Sequence, residues 1–318
     1  MTEQYKPIPV ILDGDPGHDD AIAWVLANST DRLKILGVTS CCGNQTIEKT
    51  TKNALQILTL IGYKGPFAPG RKRPLISEPM VAPSVHGDSG LDGPVLPEAK
   101  IEPLPINAVE LMAKILEESE EPVVLIPTGP LTNVAALLIE RPDLKPKIRA
   151  IYNMGGGLAH GNWTPAAEFN ILVDPEAADV VYSSGIPITM AGLDVTEKAM
   201  IFPEDFERIR AVGNEVSRIV YEWLNFYYHY HKALGYPGAP LHDPCAVAAL
   251  LNPEIFEIKE VYVEIETAGA FCRGMTVADM KGVTGKKPNV RALMGVDRKA
   301  FADMIVEACK AYGTEAKA

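Results

Sequence analysis

Cysteine is scarce in this sequence: there are five, with Cys41 and Cys42 adjacent and no C-x-x-C pair or Cys/His cluster at zinc spacing. That excludes a disulfide framework and a thiolate zinc site, and leaves the thiols reduced and mostly buried by expectation. Positive charge is also short, with 30 Lys and Arg against 41 Asp and Glu and a formal net charge of -11. Neutralising a phosphate backbone needs a basic surface, so nucleic acid is not an expected partner. No segment approaches the ~20 apolar residues of a membrane span, and MTEQYKPIPV lacks the basic start and apolar core of a signal peptide. A soluble, cytoplasmic protein with no membrane partner is expected. Internal repeats, low-complexity tracts and breaks in composition are missing too, so residues 1-318 are read as one domain. Hydrophobic residues at 47% and charged residues at 22% are ordinary globular usage, enough for a large core.

What the chain does concentrate is aspartate. Asp13, Asp15, Asp19 and Asp20 all fall in DGDPGHDD, directly after the apolar residues Ile8, Val10, Ile11 and Leu12. Two like charges about 4 Å apart repel by roughly 4 kcal/mol at an effective dielectric near 20. Such a cluster therefore points to a bound cation. The apolar run reads as a buried strand, Asp15-Pro16-Gly17 as a turn, and the following AIAWVLA as a helix with an acidic first turn. The carboxyl end of a strand meeting the amino end of a helix is where open α/β sheets bind ligands. A solvated N-cap with an idle acidic turn is the plainer alternative.

The order of strand, polar turn and helix recurs at LKILGVTS with CCGNQT, at VVLIPTGPLTN, at IRAIYNMGGG and at IPITMAGLDVT. It predicts an α/β fold, an open and mostly parallel sheet flanked by helices, with these turns on one rim. Residues 65-105 are rich in Pro and Gly, and so long an irregular stretch suggests a lid or binding loop. A continuous helix is expected from about Glu204 to His231. After a loop, HDPCAVAALL places His242 and Asp243 at a loop-to-helix junction, ahead of late strands and a closing helix.

The candidate cation ligands are oxygen donors: Asp13, Asp15, Asp19, Asp20, Asp243 and the carbonyl or side chain of Thr128. Such a set suits Ca2+ or Mg2+ rather than zinc. An EF-hand is set aside, because no helix precedes and His18 stands where its glycine belongs. GNWTPAAEFN offers Asn162, Glu168 and Asn170, groups suited to a polyhydroxylated ligand or to a loop that satisfies its own turns. His242 beside Asp243 could act as an acid, although a lone helix-start histidine is more often structural, and His86 has the same two readings. Tyr227 and His231 share a helix face, whereas His229 and His231 do not. On residues alone, a haloacid-dehalogenase-like Mg2+ phosphatase stays open, with an Asp-x-Asp after the first strand and Thr128 after a later one. Pro16-Gly17-His18 stands where that family needs a threonine. A non-catalytic nucleoside- or sugar-binding protein also stays open.

In this order, the acidic turn, GNQT, HGDSGLDG, PTGPLTN, GNWTPAAEFN and HDP resemble the inosine-uridine-preferring nucleoside hydrolase family, from about Val10 to beyond Asp297. His18 and Trp163 direct the likeness toward its pyrimidine-preferring ribonucleoside hydrolases. The resemblance implies the nucleoside hydrolase fold with a Rossmann-like core. It also implies Ca2+-dependent hydrolysis of the N-glycosidic bond of ribonucleosides, with uridine and cytidine expected and purine nucleosides left open. A homotetramer or homodimer is implied as well. Asp15, Asp20, Asp243 and the Thr128 carbonyl would hold Ca2+, and Asp15 would be the general base. Asp19, Asn44, Met154, Asn162, Glu168, Asn170 and Asp243 would surround the ribose. His86, Tyr227, His231, Tyr236 and His242 would face the nucleobase, His242 as the candidate acid. Gly14 replaces the cysteine or threonine usual in relatives, which predicts looser packing beside the metal ligands.

Overall fold

Both faces of the central strands are covered, which is why they read as unbroken apolar runs. In β1 (Ile8–Gly14), Val10 and Leu12 pack into one hydrophobic core while Ile11 packs into a second on the opposite face. The period of two along a strand divides them. The computed structural model describes residues 6-313; residues 1-5, half of the stretch read for a signal peptide, and 314-318, the tail of the expected domain, lie outside the described residues.

From β1 the chain runs through α1 (His18–Asn28), β2 (Leu33–Ser40), α2 (Ile47–Leu60), β3 (Phe67–Pro69), α3 (Pro83–His86), α4 (Ala108–Glu118), β4 (Val123–Pro127), α5 (Thr132–Glu140) and β5 (Ile148–Met154). It continues through α6 (Phe169–Val173), α7 (Pro175–Tyr182), β6 (Ile188–Ala191), α8 (Leu193–Thr196), β7 (Met200–Ile201), α9 (Pro203–Arg210) and α10 (Glu215–Ala233). The last elements are β8 (Ala239–Pro240), α11 (Pro244–Leu251), β9 (Phe256–Ile265), β10 (Thr276–Asp279), β11 (Val290–Val296) and α12 (Arg298–Lys310).

A 9-stranded sheet has the order β10-β9-β11-β6-β5-β4-β1-β2-β3. It is parallel from β3 across to β11, and β9 and β10 add an antiparallel edge. Helices α1, α2, α10, α11 and α12 cover one face, and α4, α5 and α7 the other. The mostly parallel α/β sheet expected from the sequence is therefore present. Its order reverses at β1, with β2 and β3 on one side and β4 on the other. That reversal opens a crevice at the carboxyl ends of β1 and β4, the usual ligand position of open α/β sheets. The acidic turn and Thr128 follow those two strand ends.

The expected helix from Glu204 to His231 is two helices. Gly213 takes φ +80, a left-handed conformation that stops a helix. Asn214 then caps α10, its side chain accepting from Ser217 N at 2.8 Å. The irregular 65-105 stretch contains β3 and the short α3, which carries His86 into the crevice.

Candidate active site

The floor of the crevice is acidic. Asp15, Asp19, Asp20 and Asp243 are all buried, and carboxylate oxygens of Asp19, Asp20 and Asp243 lie within 4.8 Å of one another. Among the described residues none of the four forms an ion pair with a basic side chain. Burial pushes all four acids upward in pKa, Asp19 to about 8, and neighbouring carboxylates add to the shift for Asp15, Asp19 and Asp243. Asp20 is tied down by Thr128 Oγ1 at 2.6 Å, by Gly17 N at 3.0 Å and by Asn44 Nδ2 at 3.3 Å. Asp15 accepts from Asn44 N at 2.6 Å through Oδ2, while its Oδ1 has no protein partner. A buried carboxylate oxygen without a donor is costly unless something positive meets it.

Two turns hold Asp15 by approaching it closely. A Cβ at Gly43 would come 2.1 Å from its Oδ2, and one at Gly129 would come 2.3 Å from its Oδ1. Asp13 faces away from this group. Its Oδ1 takes Thr39 Oγ1 at 2.6 Å and Asn133 Nδ2 at 2.8 Å, joining β1 to β2 and α5. The expected loosening at Gly14 is not found: a Cβ there would meet Asp20 Oδ1 at 2.6 Å and Thr128 Oγ1 at 2.8 Å. Those two oxygens already fill the space.

Above the floor stand Asn44, Met154, Asn162, Glu168 and Asn170, all lining one cavity together with Asp19, Thr128 and Asp243. Each amide spends one end on the protein. Asn170 Nδ2 donates to the Thr128 carbonyl at 2.8 Å and to Met154 O at 3.3 Å, leaving Oδ1 for a hydroxyl. Asn44 Nδ2 serves Asp15 O and Asp20, again leaving Oδ1. Asn162 does the reverse, its Oδ1 accepting from Phe169 N at 3.0 Å so that Nδ2 is the free end. Glu168 caps α6 and accepts from Gly156, Asn170 and Ile171 N–H groups; burial still raises it to about 7. The amides thus present acceptors and a donor toward one volume, as a sugar requires.

The far wall is built of rings. His86, Tyr227, His231, Tyr236 and His242 line the cavity, and Trp163 stands at its edge packed on Phe169. Burial lowers His231 to about 4, His242 to about 3 and His86 well below the usual histidine value, so all three are neutral at pH 7. His242 Nδ1 lies 2.8 Å from Thr196 Oγ1, which fixes the ring. Apart from Asp13, whose carboxylate turns to Thr39 and Asn133, the site residues expected from the sequence line this cavity or bond directly to residues that do. Residues the sequence reading missed are Phe169, Glu197, Tyr230 and Thr196. Tyr230 follows Tyr227 by one helical turn and could have been found by spacing. Thr196 could not, because only the tertiary fold brings it to His242.

Comparison with known proteins agrees with this geometry. The sequence matches the family described as inosine-uridine preferring nucleoside hydrolase over residues 10–303. It is 54% identical over 308 residues to the pyrimidine-specific ribonucleoside hydrolase RihA of Escherichia coli O1:K1, covering 96% of this chain and 99% of that one. Among solved structures it is similar to the purine-preferring ribonucleoside hydrolase of Gardnerella vaginalis, with TM-score 0.88 and 29% identity over 95% of this chain and 98% of that one. A plant nucleoside hydrolase gives TM-score 0.89 and 29% identity over 96% and 100% of the two chains. On the family match along residues 10–303 and the identity to RihA over nearly the whole chain, the chain belongs to the inosine-uridine preferring nucleoside hydrolases.

Proposed function

We propose that the chain hydrolyses the N-glycosidic bond of pyrimidine ribonucleosides, uridine and cytidine, with Ca2+ held by Asp15, Asp20, Asp243 and the Thr128 carbonyl. The observation that carries the reading is the buried carboxylate group, in which Asp19 and Asp243 line the amide-walled cavity and Asp15 Oδ1 stays unpartnered behind them. The donor set fits such an ion: several carboxylates and a carbonyl, all hard oxygens, with no thiolate or imidazole among them. Asp19 belongs to the same close group of oxygens, so it serves either the ion or a ribose hydroxyl beside it. Bound there, the cation would favour the ionised carboxylates and acidify water.

The chain's own groups then perform the chemistry. Asp15, held on both sides by the Gly43 and Gly129 turns, takes a proton from water as its oxygen attacks C1′ of the ribose. The C1′–N bond breaks and its electron pair leaves with the base. Positive charge grows on the sugar ring along the way, as in other glycosyl hydrolyses. Asn44 and Asn170 oxygens, aimed at the same volume, stabilise it. Neutral His242 acts as a hydrogen-bond donor to the departing base rather than as a stored proton, which narrows the acid role first assigned to it. Pyrimidine preference is supported by the likeness to an enzyme named pyrimidine-specific. Release of uracil or cytosine, followed with Ca2+-loaded protein, tests the proposal; tight nucleoside binding with no product would favour a non-catalytic binder.

A further inference from the structure

Behind the ring-lined wall, His18 closes a circuit of contacts that reaches the cavity through a nitrogen contact with His86 and a ring contact with Tyr227. Its side chain is fully buried, in ring contact with Phe226 and Tyr227, and it does not line the cavity. Its Nε2 lies 2.8 Å from the carbonyl of Asp92, and its Nδ1 lies 3.0 Å from Nδ1 of His86. The two imidazole centroids are 5.3 Å apart with planes 16° apart. The difference between that separation and the nitrogen distance is what two ring radii take up, so the contact runs in the plane of both rings, as a hydrogen bond requires. The loop 86-92 completes the circuit, since Asp92 N donates to His86 O at 3.2 Å and the Asp92 carboxylate is held by the Asp88 and Ser89 N–H groups. Gly17 makes room for it: a Cβ there would lie 2.6 Å from His86 Nδ1.

A carbonyl only accepts, so His18 Nε2 must carry hydrogen. Among the described residues the ring's only other hydrogen-bond partner is His86 Nδ1, and no carboxylate meets either nitrogen, so with hydrogen on Nε2 the Nδ1 atom offers its lone pair. His86 Nδ1 must then be the donor, and its other nitrogen, Nε2, carries a lone pair. Among the described residues no group hydrogen-bonds that Nε2, while the ring lines the cavity. We propose that His18 is a positioning residue that fixes His86 in its Nδ1–H form, so that His86 Nε2 accepts from an N–H on the edge of the nucleobase. This rests on the proposed function for the identity of the ligand. It would make the site read a donor at that place, such as N3–H of uridine. The competing arrangement has the His18 backbone N–H, 3.3 Å away, donate to His86 Nδ1, which demands a charged His18 and an Nε2–H on His86.

Long-range proton–nitrogen NMR of the imidazoles separates the two, because protonated and lone-pair nitrogens have different shifts. Wild-type protein is expected to show His86 as Nδ1–H and His18 as Nε2–H. A wild-type spectrum with His86 as Nε2–H overturns the proposal, whatever the variants do. His18→Phe keeps a ring but removes both bonds; His86 should then populate Nε2–H, with KM for uridine rising roughly three- to tenfold, the worth of one neutral hydrogen bond, and kcat changing less. His18→Gln, whose amide sets an acceptor beside a donor, should recover part of both. Unchanged His86 signals and KM in His18→Phe would also overturn it. Absence of turnover with any nucleoside would instead defeat the hydrolase reading and leave the His86 spectrum as an independent result.

Discussion

At the scale of single residues, the four aspartates of DGDPGHDD divide by partner rather than by position. Asp13 is held through Oδ1 by Thr39 and Asn133, and Asp20 by Thr128, Gly17 and Asn44; of the two that keep a buried oxygen without a donor, Asp13 at Oδ2 and Asp15 at Oδ1, only Asp15 has its carboxylate bonded to a residue of the cavity wall, Asn44. Asp15→Ala is therefore expected to lower kcat by at least ~10²- to 10⁴-fold, the usual worth of a general base, and to weaken Ca2+ binding measured by calorimetry. A variant with normal turnover would remove Asp15 from the chemistry. For His242→Ala, the loss should be larger with uridine than with a nitrophenyl riboside, whose leaving group needs less help from a donor. Equal losses would reduce His242 to holding the base in place. These aspartates were legible in the sequence because charge density within one turn is a local signal. Their roles came only from the family resemblance, and their hydrogen-bond partners were not legible, since Thr39 comes from β2, Thr128 from the turn after β4 and Asn133 from α5.

At the scale of elements, the turns after β1, β2 and β4 matter more than the helices between them. Gly43 and Gly129 let two turns close on Asp15, and the nearest neighbours of a Cβ at Gly129 are Asp15 Oδ1, Asp15 Cγ and Cys41 Sγ, the last at 3.0 Å. Gly129→Ala should thus displace the base; a shift of about 1 Å can cost ~10²-fold in rate. Kinetics beside a thermal melt check it: a large fall in kcat with a nearly unchanged melting temperature is the expected pattern. Full activity would show that the turn yields. Strands β1, β2, β4 and β5 could be read from apolar runs ending in polar turns. The antiparallel direction of β9 and β10 could not, because period and composition carry no direction. The break between α9 and α10 was written in Gly213-Asn214 but lost inside a long amphipathic pattern.

At the scale of the molecule, the acidic floor trades stability for the site. Burial pushes Asp19 up to about 8 in the fold, from an ordinary aspartate value of 3.8. Between those values the folded chain holds more protons than the unfolded one, so this contribution to stability is full below about pH 4 and is lost as pH rises through 8. Metal-free protein should accordingly show a melting temperature that falls from pH 5 to pH 8. Added Ca2+ should raise it, and by more at pH 8, where ionising the carboxylates is otherwise most costly. Equal Ca2+ shifts at both pH values would contradict a site built from these acids. The sheet order explains why the floor lies where it does: β1 and β4 are neighbours at the reversal, and their carboxyl ends supply both the acidic turn and Thr128. That topology was legible only as a class from the repeated strand and helix pattern, because strand order is set by long-range pairing.

The central claim is an ion-dependent hydrolysis of pyrimidine ribonucleosides in this crevice. Its most direct test is base release from uridine and inosine, measured side by side on Ca2+-loaded protein, on chelated protein, and after Ca2+ is restored. The account predicts free uracil and ribose at a kcat/KM well above that for inosine, loss on chelation and recovery with Ca2+. Uridine left intact by the loaded protein, or turnover indifferent to chelation, would contradict it.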